Sequence, residues 1–375
     1  MLTHAQTQSK NIAALWILIV LIAVTVGVAA LPLWTLETKW ALAATLLLLL
    51  PFMLMIVPDV RRFLLAGLIL SLPLNADVNL FLQYGLLSGA HGLNFTLSDL
   101  LLLIAVLLWL LESARTKQVG TIRFYPKVSW PTLGLIAMMA ISLIPAQNRL
   151  WTLFDLFRFI KAYVLFLYLA NNLRQRSDVR LVIRMFFIGV ILQTVLSLWQ
   201  INQWPGLAGL RLFGISAENG TAIKMDFFST TRPGGTMESC NNLARFFGFL
   251  LPLAYVLSLR GETPSERWFA RITAVIGTVG IIYTLSRSTW IALIPSVLIL
   301  FPFMLSRRLL TLRIIRNLAL MMMAGMVVLL VFRDLIYDRI VSYDLGSGRT
   351  RITSAQAAIR MIKAHPVIGV GLNNY

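Results

Sequence analysis

Long apolar stretches recur along almost the whole chain, and about 20 apolar residues suffice to carry a helix across about 30 Å of hydrocarbon. About eleven candidate spans can be drawn, at residues 12–34, 40–57, 62–74, 97–111, 128–145, 152–170, 181–199, 243–259, 272–285, 289–305 and 318–332. The third, fourth, ninth and eleventh are short. Lipid offers no partner for a bare peptide group, so successive spans of this kind imply an all-α, polytopic integral membrane bundle. Composition agrees: 13% of residues are charged, against about a quarter in soluble domains. The first span follows Lys10 alone and is too long for a cleaved signal core, so it reads as a signal anchor.

The net charge of +18 would suggest nucleic acid as a partner in a soluble protein. Here the cations fall between apolar spans, which removes that reading and makes membrane lipids the expected surroundings. With the N-terminus inside, cytoplasmic segments carry Arg61 and Arg62, then Arg115 to Lys127, Arg174 to Arg180, Arg260 to Arg271, and Arg307 to Arg316. The opposite side is nearly free of cations until Arg211, Lys224 and Arg232, then Arg287, then Arg333, Arg339, Arg349, Arg351, Arg360 and Lys363. Cations placed where insertion does not need them point to an anionic ligand. The late ones also read as a solvated face balanced by Asp334, Asp338 and Asp344. Cys240 has no disulfide partner, and His4, His91 and His365 lie too far apart in sequence to suggest a metal cluster. No metal and no cofactor is expected.

Four segments carry candidate chemistry. Asp155, Arg158 and Lys161 lie three residues apart in one span and share a helix face, either as an ion pair near the outer interface or as a basic wall for an anionic substrate. The 200–242 loop holds Arg232-Pro-Gly234-Gly235, a turn that can bring backbone N–H groups to an anion beside an arginine. Ser286-Arg287-Ser288 sits between two spans with almost no loop. Arg287 is therefore held at the interface, where it suits either a lipid-linked phosphate or ordinary headgroups. His365, just before Pro366, reads as a helix-end polar residue or a general base. Residues 1–332 form the expected transmembrane domain, and 333–375 the start of a large external loop.

Arg232-Pro-Gly-Gly-Thr236 with Asn241 and Ala244, Leu285-Ser-Arg287-Ser, Arg349 with its downstream helix, and His365-Pro-Val-Ile-Gly369-Val-Gly371 together resemble the O-antigen ligase and O-antigen polymerase superfamily. These are bacterial inner-membrane glycosyltransferases. The resemblance covers about residues 200–375 by motif and the earlier spans by hydropathy alone; Cys240 stands where the family often has proline. It implies a GT-C-like helical fold of about a dozen spans with a large periplasmic loop between late spans, as analogy rather than derivation. It further implies an undecaprenyl diphosphate-linked glycan donor, metal-independent inverting transfer at the periplasmic face, and lipid A core or another glycan as acceptor. Arg232, Arg287 and Arg349 would bind the diphosphate, with Ser286, Ser288, Gly234, Gly235, Arg158 and Lys161 in support. The family's periplasmic His-Asn motif lies beyond Tyr375, so the sequence is expected to be a fragment of a longer chain, with His365 the candidate base within it.

The motifs are shared across ligases, polymerases and protein O-oligosaccharyltransferases, so the acceptor stays open. An anion transporter using the Asp155, Arg158 and Lys161 cluster, or a non-catalytic scaffold, are the readings from other classes.

Overall fold

The computed structural model describes residues 57, 59–74, 77–81, 92–115, 123–202, 221–222, 231–237, 239–306, 347–366 and 368–374, together with 316, 319–320, 323, 325–327, 330–334 and 336–337. The spans expected at 12–34 and, but for residue 57, at 40–57 lie outside the described residues, as do Arg211, Lys224, most of the 200–242 loop and Arg339. The elements in chain order are α1 (Val60–Ser71), β1 (Asp77–Leu80), β2 (Leu93–Thr96), α2 (Leu97–Arg115), α3 (Pro126–Ile141), α4 (Arg149–Asn172), α5 (Arg176–Asn202), β3 (Thr221–Ala222), β4 (Thr231–Arg232), α6 (Cys240–Arg260), α7 (Pro264–Tyr283), α8 (Arg287–Ser306) and α9 (Ser347–Ala364).

The protein is mostly helical, but not wholly so. Two short antiparallel pairs, β1 with β2 and β3 with β4, amend the all-α expectation. Asp77-Val-Asn-Leu80 and Leu93-Asn-Phe-Thr96 alternate polar and apolar residues, a period of two that suits a strand and not a helix face. Among the described residues, three helices are long and apolar enough to cross a membrane: Leu97–Arg115, Arg176–Gln200 and Cys240–Arg260. They coincide with the spans expected at 97–111, 181–199 and 243–259 and run past them into polar flanks.

Helix starts are set by side chains that satisfy the orphan amides of the first turn. Asp59 caps α1, Asn148 caps α4 and Ser239 caps α6, while Thr263 and Glu266 form a reciprocal capping box on α7 behind Pro264. One apolar core joins α1 to α2, α4 and α5 through Leu65, Leu68, Trp109, Tyr168 and Val182. A second joins α5, α6 and α7 through Val190, Leu243, Phe247, Leu251 and Ile281. α7 approaches its neighbours at Gly277 and Gly280. A Cβ at Gly277 would lie 2.6 Å from Leu251 Cδ2, and one at Gly280 would lie 2.5 Å from Thr194 Oγ1. Small residues of this kind let helix backbones close on one another where lipid provides no hydrophobic drive.

Charge is buried at one end of this bundle. The Asp178 side chain is fully buried and accepts from Arg61 at 2.6 Å and from Arg62 at 3.3 Å. It also accepts the backbone N–H groups of Arg174 and Gln175. A carboxylate so surrounded replaces its lost water completely, and it ties α1 to the start of α5.

Candidate functional site

At the other end of α5, α6 and α7, the Pro233–Thr236 turn is held against α5 by two glutamines. Gln200 Nε2 donates to the Gly235 carbonyl at 2.9 Å while its Oε1 accepts the Gly235 N–H at 2.8 Å. Gln193 Oε1 accepts the Thr236 N–H at 3.1 Å, and its Nε2 donates to Thr236 Oγ1. Gly235 has φ +58°, and a Cβ there would crowd Gln193 Oε1, so a side chain in this turn would be strained and would disturb the glutamine that holds it. The amides of Gly235 and Thr236 are thus spent on glutamine side chains. What the turn contributes is the placement of Arg232.

Arg232 is 7% exposed. Its Nε donates to the carbonyl of Thr284 at 2.9 Å, at the C-terminal end of α7, and its Nη2 donates to Asn241 Oδ1 at 3.4 Å in the first turn of α6. Both acceptors are neutral. Among the described residues no carboxylate pairs with it. Burial lowers the pKa of the guanidinium from its ordinary value, Cys240 opposes that shift and the charge of Arg287 adds to it. A buried cation with neutral acceptors only is costly to keep, and an anion is what would compensate it.

The second arginine arrives through a strained turn. Between Tyr283 and Arg287 the chain reverses through Thr284, Leu285 and Ser286, all buried, with Leu285 at φ +51°. Left-handed backbone at a bulky side chain costs about 1–2 kcal/mol and is held only by its surroundings. The reversal sets Arg287 as the first residue of α8. There a cation opposes the helix dipole, so local stability does not explain it. Ser286 Oγ lies 3.4 Å from Asn241 Oδ1, 3.1 Å from Thr289 Oγ1 and 3.4 Å from Ser288 Oγ. Arg232, Asn241, Ser286, Ser288 and Thr289 therefore form one polar cluster at the joint of α6, α7 and α8, with the charge of Arg287 felt at Arg232.

Other sequence candidates lie elsewhere. Arg158 pairs with Asp155 at 3.1 Å, the ion-pair alternative for that face. Lys161 turns to a different helix, bonding Asp99 at 2.6 Å and the Asn94 carbonyl at 2.7 Å. Each of these two cations thus has a carboxylate partner. Arg349 belongs to the first turn of α9, and its side chain lies outside the described residues. His365 is exposed after the end of α9, and no described contact joins it to the arginine cluster. The residues beyond it dock instead on the α3–α4 connection. Asn374 accepts the Asn148 N–H at 2.7 Å and donates to Thr152 Oγ1 at 2.9 Å, while Thr152 donates to the Leu372 carbonyl at 2.9 Å. Gln193, Gln200, Thr284 and Thr289 were not singled out as site residues. For the glutamines a signal existed: Gln193, Ser197 and Gln200 recur at helical spacing within an apolar span, which marks a bundle-facing polar stripe.

Long apolar helices around an interior polar cluster define a helical membrane protein. Residues 272–375, the last part of the chain, match the O-antigen ligase family model, Wzy_C, and this match supports assignment to the O-antigen ligase superfamily. The matched region takes in the Thr284–Thr289 turn, α8 and α9. No curated protein and no solved structure matches the chain.

Proposed function

We propose that the protein transfers a glycan from undecaprenyl diphosphate to an acceptor hydroxyl, that of the lipid A core, at the periplasmic face of the bacterial inner membrane. The observation that carries this reading is Arg232, a buried guanidinium bonded to neutral oxygens with the charge of Arg287 in its field. In an inverting displacement the hydroxyl oxygen bonds to the anomeric carbon from the face opposite the diphosphate. The bond from that carbon to the diphosphate oxygen breaks, its electron pair leaves on the diphosphate, and the hydroxyl proton passes to a base. Negative charge grows on the leaving diphosphate during this step, and fixed guanidinium groups in a site poor in water stabilise it without reorganising. They supply the charge that a divalent cation provides in metal-dependent transfer. The Pro233–Thr236 turn, pinned by Gln193 and Gln200, fixes the position of Arg232, and the Leu285 turn fixes that of Arg287.

Polymerases and protein O-oligosaccharyltransferases use the same donor chemistry, so the acceptor is the separable part of the proposal. Arg287→Ala, expressed in a strain lacking its own copy, is expected to abolish surface glycan while leaving the protein at normal abundance in the membrane. Glycan made at the wild-type level would overturn the assignment.

A further inference from the structure

The end of the bundle opposite Arg232 carries a second basic site. A cleft of about 340 Å³ opens between the first turns of α5, the last turn of α6 and the first turns of α7. Arg176, Arg180, Arg184 and Arg260 line it together with Glu262 and Glu266, which leaves a surplus of two positive charges. The glutamates are engaged by Arg176, Arg180 and Arg184, with Arg180 reaching both and Arg184 3.9 Å from Glu266. Ile183, Phe187, Leu257 and Phe269 supply an apolar floor beneath this rim. α6 spans Cys240–Arg260, and its 21 residues at about 1.5 Å each place the cleft about 30 Å from the Arg232 cluster, the thickness of a hydrocarbon core. Trp268 lies at the cleft's level, 62% exposed and 5.4 Å from the Arg271 guanidinium, the pairing of an aromatic belt with an interfacial cation.

We propose that this cleft binds an anionic phospholipid of the leaflet opposite the Arg232 cluster, its phosphodiester met by Arg176, Arg184 and Arg260 and an acyl chain laid over Ile183, Phe187 and Phe269. Charge complementarity selects an anion, and the apolar floor at interface depth selects one that carries a tail. A free phosphate would leave that floor wet. The site lies on neither arginine of the proposed transfer chemistry, so its occupancy is read independently of glycan transfer.

Native mass spectrometry of the full chain, released from nanodiscs of mixed phosphatidylglycerol and phosphatidylcholine, tests the proposal. Phosphatidylglycerol is expected to be retained in preference to phosphatidylcholine, with the preference falling about fivefold for each of Arg176→Gln and Arg184→Gln. Val179 lines the cleft and is 43% exposed, so Val179→Glu sets a carboxylate at its lip without touching an ion pair and should lower retention likewise. An unchanged melting midpoint in pure phosphatidylcholine shows that the fold survives; if the arginine variants melt early, Val179→Glu decides. Equal retention of both lipids, variants that retain phosphatidylglycerol as the wild type does, or displacement of the lipid by inorganic phosphate would each overturn the proposal.

Discussion

Asp178 and Arg232 are both buried ionic groups held by α5 and its neighbours, and they are treated in opposite ways. The carboxylate collects two arginines and two backbone amides, so its charge is answered from every side. The guanidinium collects a carbonyl and an amide oxygen and has a second arginine in its field. A group that exists to hold helices together is given its counter-charge by the fold. Among the described residues Arg232 has no such counter-charge, and on the proposed function the substrate diphosphate would supply it.

That contrast can be broken at either end. The largest expected effect is on stability at Asp178. Asp178→Ala strands Arg61 and Arg62, which are partly exposed and can rehydrate, so the loss should lie near the lower bound for a broken buried pair, about 3 kcal/mol. It is checked by the melting midpoint, with residual transfer tracking the amount of folded protein. Next comes Arg232→Met, which keeps length and removes charge. Transfer should fall about a hundredfold, as for single oxyanion donors, while the melting midpoint holds or rises because an uncompensated charge has gone. A stability loss like that of Asp178→Ala would make Arg232 a strut and refute the contrast. Gln200→Leu leaves the Gly235 N–H and carbonyl without partners in a buried turn and should cost about 2 kcal/mol; chemical denaturation measures it, and transfer should drop further than the folded fraction does. The smallest effect belongs to Arg158→Ala. Its pair with Asp155 is 55% exposed on the arginine side, so stability should change by less than about 0.5 kcal/mol, with transfer unchanged in a membrane assay.

Much of the helical layout could be read from the sequence, because apolar length is a direct consequence of the solvent the helix must cross. α2, α5 and α6 fall where the apolar windows lie. The ends differ because Arg176, Asp178 and Asn202 belong to helix turns that leave the apolar window. The β1–β2 pair escaped notice because each strand offers only four residues of alternation, too few to stand out from a polar loop. In the candidate site, Arg232 and Arg287 stand out in the sequence as cations that the expected topology does not need, and Ser286 and Ser288 flank Arg287 in the chain. The neutrality of Arg232's acceptors was not visible, since Thr284 comes 52 residues later in the chain. The same distance effect hid the partner of Lys161. Its three-residue spacing from Arg158 suggested a shared wall, but Asp99, 62 residues earlier, holds it.

The two glycines of α7 bear on how the protein is made. α7 opens with Glu266, Arg267 and Arg271 and closes with Gly277 and Gly280, so as a solitary helix leaving the translocon it would partition poorly into lipid. Among the described residues its Glu266 pairs with Arg180 and Arg184 of α5, and the nearest atoms to Gly277 and Gly280 belong to α5 and α6. If α7 crosses the bilayer as its apolar second half leads one to expect, its entry would be coupled to the prior arrival of α5 and α6. A bulky substitution at Gly277 or Gly280 would first be felt during biogenesis, as a helix that stays in the translocation channel, before the finished bundle existed to be destabilised.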